Sequence, residues 1–482
     1  MHIVDYFVIA GYFALVMYLG YYSMKKVSNF DDYAVAGRSM PLPIFFAAVY
    51  EQFAAIAATL CGGGATIGRI SFMHTTGIIV FFALTGVVIN QIFSGLFISG
   101  RVHNAGKNVY SLGDLYGIYY GRSGRLLSSV FGFLFCVGAF GVQILAMGAI
   151  LQTATGISLI PAALIASIVT LAYTWSGGIL AVTLTDAVQY VIIVIGVTLC
   201  AYLAIDHLGG FDAMMSILYS NPRFETNMKP LANWSLVQFL GLFFSFLLGE
   251  FCAPYYIQRY ASTKSAKDSK NGLLIFGVHW IFFMATTAAI GLASMAIQPD
   301  VKPDLAFTNL IRDILPPGIT GLVFGALLAA VMSTGAAMIN TSAVIYTRDI
   351  YNKFINTAAT QAQLLRQSRL STLVVGGISI GVAIIFQDVF GLMIYMFKLW
   401  PSAILPPLMC GLLWGKISPY AGAPAVIAGG LSFFLWSDKV LGEPFGIPAN
   451  FIGIGMNCLV LFFIHQKMKG HKPEGPFLPD LN

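Results

Sequence analysis

The sequence predicts an all-α polytopic membrane fold, and three observations carry that prediction. Charged side chains make up 10% of the 482 residues and hydrophobic ones 57%, whereas ordinary soluble domains carry about 25% charge. The mean hydropathy is +0.80. The apolar residues fall in long uncharged blocks, each able to cross roughly 30 Å of hydrocarbon at about 1.5 Å per helical residue. A membrane β-barrel would instead show alternating segments of about ten residues.

In chain order the apolar blocks predict thirteen helices, near 3–24, 41–70, 73–100, 126–153, 157–175, 178–206, 234–262, 272–297, 318–346, 371–388, 391–415, 420–437 and 450–467. The first lacks a basic lead and a small-residue cleavage site, so it reads as a retained helix and not a signal peptide. The second carries Glu51 and Gln52 in mid-span, followed by Gly62, Gly63 and Gly64. Between the third and fourth, the polar-aromatic segment Tyr110–Gly121 is expected to lie along the inner surface. The seventh carries Gly249 and Glu250 in mid-span, with Pro254 shortly after. No loop is long enough for a folded core, which leaves a single transmembrane domain over residues 1–482.

Charge orients the spans. With the N-terminus outside, nineteen of the 26 Lys and Arg residues lie in inner segments, and Arg69, Arg223, Lys229, Lys302, Arg312 and Lys439 lie outside. The positive-inside rule therefore predicts an outer N-terminus and a cytoplasmic C-terminus. The six cysteines sit within apolar segments at spacings unlike those of metal ligands, and read as small buried hydrophobes.

Helices 2–6 and 7–11 form two blocks of five, about 41–206 and 234–415, with 3–24, 420–437 and 450–467 peripheral. An odd number of spans gives the blocks opposite orientation, and each begins with its interrupted helix. Paired interruptions in inverted halves point to a transporter's central site. Gly and Pro alone would fit close helix packing, but a carboxylate in each break is costly unless used or paired. A channel would show a repeated filter or charged ring, a membrane enzyme a clustered His/Asp/Glu set, and a sensor an output domain. None of these patterns is present, although a non-transporting sensor or channel remains the alternative from another class.

Four motifs in register resemble the sodium/solute symporter family. The strongest runs from Gly325 through Ala330, Ser333 and Thr334 to Thr347-Arg-Asp-Ile-Tyr351, similar to the family's A-A-x-x-S-[ST] and D-[IL]-Y. The others are Gly177-Gly178 with Thr185-Asp186 and Gln189, Gln258-Arg259 with Lys264-Ser265, and Gly411-Leu-Leu-Trp414 before Lys416. The resemblance implies the five-plus-five inverted repeat of the leucine-transporter type. It also implies sodium-coupled import of a small polar solute by alternating access, with Na+ as the coupling ion and no enzymatic activity.

Residue by residue, it implies a sodium site made by the Ser333 and Thr334 hydroxyls with the carbonyls of Ala330, Glu51 and Ala54. Back-bonding to its own helix is the alternative for such a hydroxyl pair. Family members with a second sodium carry further hydroxyls where this chain has Ala336 and Ala337, so one sodium per cycle is expected. Asp186 is an ion-coupling candidate that can instead pair with an inner arginine or serve as a structural carboxylate. Glu51 stands where the family has a small residue, which leaves proton coupling open.

Substrate candidates come from the breaks and from helices facing them: Gln52, Phe53, Thr59, Gln143, Phe246, Glu250, Trp280, Tyr395 and Lys398. The acidic Glu250 and the aromatics favour an amine-bearing or zwitterionic solute. Lys398 is expected to neutralise a glutamate or hold a carboxylate. The expected partners are the solute, sodium and the lipid bilayer of a bacterial inner membrane, with no nucleic acid and no obligatory protein.

Overall fold

The computed structural model describes residues 1–35, 57–106, 109–229, 231, 234–263, 265–386 and 388–468. Among the described residues ten helices are long and apolar enough to cross a membrane, and a bent pair makes an eleventh. The expected second span, 41–70, lies largely outside the described residues.

At the rim stands α1 (Ile3–Met24), with only 28% of its apolar window buried. Its Asp5 is buried and turns inward, where Oδ1 accepts from the Gly318 and Gly321 backbone N–H groups at 2.7 and 2.9 Å. Those groups open α2 (Ile319–Val344), so a carboxylate meets the positive end of a helix. At the centre of the molecule, α2 has 94% of its window buried. It packs on α3 (Leu112–Thr155), α4 (Leu159–His207) and α1. Its many Ala, Gly and Ser residues let neighbouring backbones come close.

Two long helices are bent at glycine. In α4 the bend falls at Gly178 (φ 53°), where an added Cβ would lie 2.6 Å from the Tyr33 carbonyl oxygen. The 49-residue run therefore divides at Gly178, whose backbone is not helical, at the boundary between the expected helices 157–175 and 178–206. In α3 the bend falls at Gly121 (φ 64°). The segment expected to lie flat before it is already helical from Leu112, with the Ser111 hydroxyl accepting from the Asp114 N–H. The expected span 371–388 starts earlier too, as Gln361–Phe386.

The seventh expected span is interrupted as predicted. Leu236–Gly249 ends at Glu250, Cys252 adopts φ 53°, and the chain resumes helix at Pro254–Ser262. Proline is suited to a first helical turn because its missing N–H would have no partner there. Farther on, Val389–Ala403 and Leu405–Trp414 bend by 53° at Ile404, next to Pro406 and Pro407. Gly422–Trp436 and Ala449–Lys467 form a closing helical pair.

Of the six cysteines, Cys61, Cys136, Cys200 and Cys252 are buried, while Cys410 is partly buried and Cys458 exposed. Burial of the last two was overestimated, because their helices lie at the periphery of the bundle.

Candidate functional site

The site grows from the unwound turn at Cys61–Gly63, between the helical turn 57–60 and the widened helix Gly64–Gly68. Gly63 N–H does not close a turn on the Thr59 carbonyl. It donates to Gln143 Oε1 on α3 at 2.7 Å. The Thr59 carbonyl instead accepts from Thr334 Oγ1 at 2.6 Å, and the Ala58 carbonyl from Ser333 Oγ at 2.8 Å. Both hydroxyls also reach the Ala330 carbonyl, at 3.1 and 2.9 Å. Five oxygens therefore converge where one helix is unwound against another. Gly62 is required in this gap, since a Cβ there would lie 2.8 Å from Gln143 Oε1 and 2.6 Å from Thr334 Cβ.

Neutral carbonyl and hydroxyl oxygens suit a dehydrated monovalent cation, and unwound backbone can supply them inside a bilayer. Glu51 and Ala54, expected to supply two of the carbonyls, lie outside the described residues, as do Gln52 and Phe53. The carbonyls facing Ser333 and Thr334 here are those of Ala58 and Thr59.

Behind this cluster is a buried ion pair. Arg259 Nη2 lies 2.6 Å from Asp186 Oδ2 and donates to Thr59 Oγ1 at 2.8 Å. The side chains are 2% and 0% exposed, so neither charge has water to solvate it and the pairing is obligatory. Of the alternatives for Asp186, pairing with an arginine is the one displayed. The Arg259 guanidinium is thus in the protein interior.

Beside the oxygens lies a cavity that measures about 40 Å³ among the described residues. Thr59, Gln143, Glu250 and Thr334 line it together with Arg69, and Met393, Met396 and Phe397 supply apolar wall. Phe246 and Trp280 are fully buried and carry the Arg69 guanidinium, 5.7 and 4.7 Å from their ring centroids.

Two substrate candidates are elsewhere. Lys398 Nζ forms an ion pair with Glu443 Oε1 at 2.8 Å, in the loop between the last two helices. Tyr395 packs edge-on against Phe433 at 5.3 Å. Both follow from the face of Val389–Ala403 on which they lie, opposite Met393 and Phe397.

Arg69 is the residue that sequence reasoning missed. It was counted with the outer basic residues because it follows the glycine triplet near an expected span end, yet it is 3% exposed. The usable signal was an ionisable side chain inside an apolar helix. A second cluster was also missed: Arg125 Nη1 bridges Asp114 and Asp349 at 2.6 and 3.1 Å, and Ser111 Oγ donates to Asp349 at 2.8 Å.

The model of the sodium:solute symporter family matches residues 33–429. The chain belongs to that family. As a sodium:solute symporter it is a sodium-coupled importer of a solute and not an enzyme, and Na+ is its coupling ion. Relatives include the osmoregulated proline transporter OpuE of Bacillus subtilis, 25% identical with 90% of this chain and 89% of that one covered. The sodium/proline symporter of Escherichia coli is 25% identical, with 87% and 85% covered. The sodium/glucose cotransporter of Vibrio parahaemolyticus is 24% identical, with 88% and 83% covered. Among solved structures, a Na+-coupled sialic acid symporter in a substrate-bound outward-open state superposes with a TM-score of 0.82 at 19% identity, covering 97% of this chain and 98% of that one. Mhp1, a nucleobase-cation-symport-1 transporter, gives 0.53 at 13% identity, with 89% and 94% covered.

Proposed function

We propose that this symporter imports a small amine-bearing solute with one sodium per cycle, by alternating access about the paired breaks. The observation that carries the ion half is the convergence of Ser333 Oγ, Thr334 Oγ1 and the carbonyls of Ala330, Ala58 and Thr59. A sodium ion would take these oxygens in place of the hydrogen bonds that now join them. Ala336 and Ala337 provide no further hydroxyls one turn on, which supports a single ion.

The solute half rests on Glu250, a carboxylate lining the cavity next to the ion oxygens. Several relatives are named as proline transporters, and proline bears an amine. Thirteen spans, ten of them in two inverted blocks of five, an outer N-terminus, a cytoplasmic C-terminus and a bacterial inner membrane complete the proposal, with one chain sufficing.

A sodium titration of thermal stability in detergent tests the ion half, because a ligand of the native state stabilises by mass action. A saturable shift with a Hill coefficient of about 1 is expected. A coefficient near 2, or no shift, contradicts it. Stabilisation by amines that survives Glu250→Gln contradicts the solute half.

A further inference from the structure

We propose that Arg69 docks the carboxylate of the transported solute, so that the central cavity recognises a small zwitterion held between Arg69 and Glu250. This deepens the reading above and rests on the amine contact assigned to Glu250.

A buried guanidinium without an acceptor is among the least tolerable groups in a membrane protein. Elsewhere in this chain buried arginines meet carboxylates, as Arg125 does with Asp114 and Asp349, and Arg259 with Asp186. Arg69 is 3% exposed, and its Nε and Nη1 have no hydrogen-bond partner among the described residues. The guanidinium is nevertheless held in place, seated on the Trp280 ring with Phe246 on another side. It lines the same small cavity as Glu250, with Thr334 of the ion cluster on the same wall. A fixed, desolvated cation with open donors is complementary to a carboxylate, which arginine binds more strongly than neutral acceptors.

Glu250 makes the recognition two-sided. A monoanion would meet Glu250 repulsively and a simple amine would meet Arg69 repulsively, whereas a zwitterion satisfies both. This places an excluding charge against each one-charge competitor. The small cavity favours a compact molecule. The role once expected of Lys398 thus falls to Arg69, because Lys398 is engaged by Glu443.

The test is a ligand titration by thermal shift in detergent with sodium present, using L-proline, L-alanine and glycine betaine. L-Prolinamide and L-alaninamide keep the amine and lose the carboxylate; propionate keeps only the carboxylate. Wild type should bind at least one zwitterion roughly 30-fold or more tighter than its amide, the scale of a lost charge-assisted pair. In Arg69→Gln that ratio should fall towards about 1, with Arg69→Lys intermediate. The wild-type ratio requires no variant to fold.

A ratio unchanged in Arg69→Gln overturns the assignment. Equal binding of alanine and alaninamide, lost in Glu250→Gln, overturns the Arg69 contact while the amine reading stands. Binding of propionate as tight as alanine and insensitive to Glu250→Gln upholds Arg69 and removes the amine reading. No stabilisation by any of these probes overturns both.

Discussion

Thr59 joins the two buried polar systems of this transporter, through its backbone to Thr334 and through its hydroxyl to Arg259. The two connections separate by mutation. Thr59→Ala keeps the carbonyl and removes the hydroxyl, so apparent sodium affinity should change little while stability falls by about 1 kcal/mol, the worth of one hydrogen bond. A sodium titration and a melting curve on the same sample check both halves. Arg259→Ala should be far worse, since it leaves Asp186 buried and unpaired at a cost on the order of 3–5 kcal/mol. The melting temperature reads this directly, and restoration by Asp186→Asn in the Arg259→Ala background would show that the uncompensated charge is responsible. Sequence reasoning identified Ser333, Thr334, Glu250 and Asp186 because each is a polar group in an apolar setting. It misplaced Arg69 because hydropathy and charge bias report where a helix should end, not which way a side chain near that end turns.

Elements are held apart or together here by glycines whose need is steric. At Gly62 a methyl group would collide with Thr334 and Gln143. Gly62→Ala is therefore expected to cost about 1–3 kcal/mol in overpacking and to abolish sodium-dependent stabilisation, because it separates the two segments that share the proposed ion oxygens. At Gly178 the difficulty is conformational as well as steric: φ is 53° and the Tyr33 carbonyl lies 2.6 Å from an added Cβ. Gly178→Ala should lower the melting temperature without changing the sodium dose response, since the atoms that crowd Gly178 belong to Tyr33 and not to Ser333 or Thr334; an altered dose response would contradict that separation. Both broken segments were legible from Gly, Pro and Glu in mid-span. The run Leu159–His207 divides at Gly178, where the sequence also places a boundary, whereas the early helical start of Leu112–Thr155 and its break at Gly121 were not legible, because the polar-aromatic stretch before Gly121 carries no apolar block.

For the whole molecule, class and family could be read from the sequence alone, since they depend on periodicity and on motifs carried by the backbone. The shape of the solute cavity could not, because it is set by which side chains from distant segments meet. Arg69, Gln143, Glu250 and Met393 are far apart in sequence and share one small space. In the proposed cycle a sodium gradient drives solute uptake through the Ser333–Thr334 site. Its most direct test is uptake of radiolabelled L-proline, L-alanine and glycine betaine into liposomes containing the purified protein, under an inward sodium gradient at equal pH on both sides. The account predicts accumulation of at least one of these above its outside concentration, abolished without sodium and abolished in Ser333→Ala/Thr334→Ala. Accumulation that needs no sodium gradient, or that persists unchanged in the double variant, would contradict it.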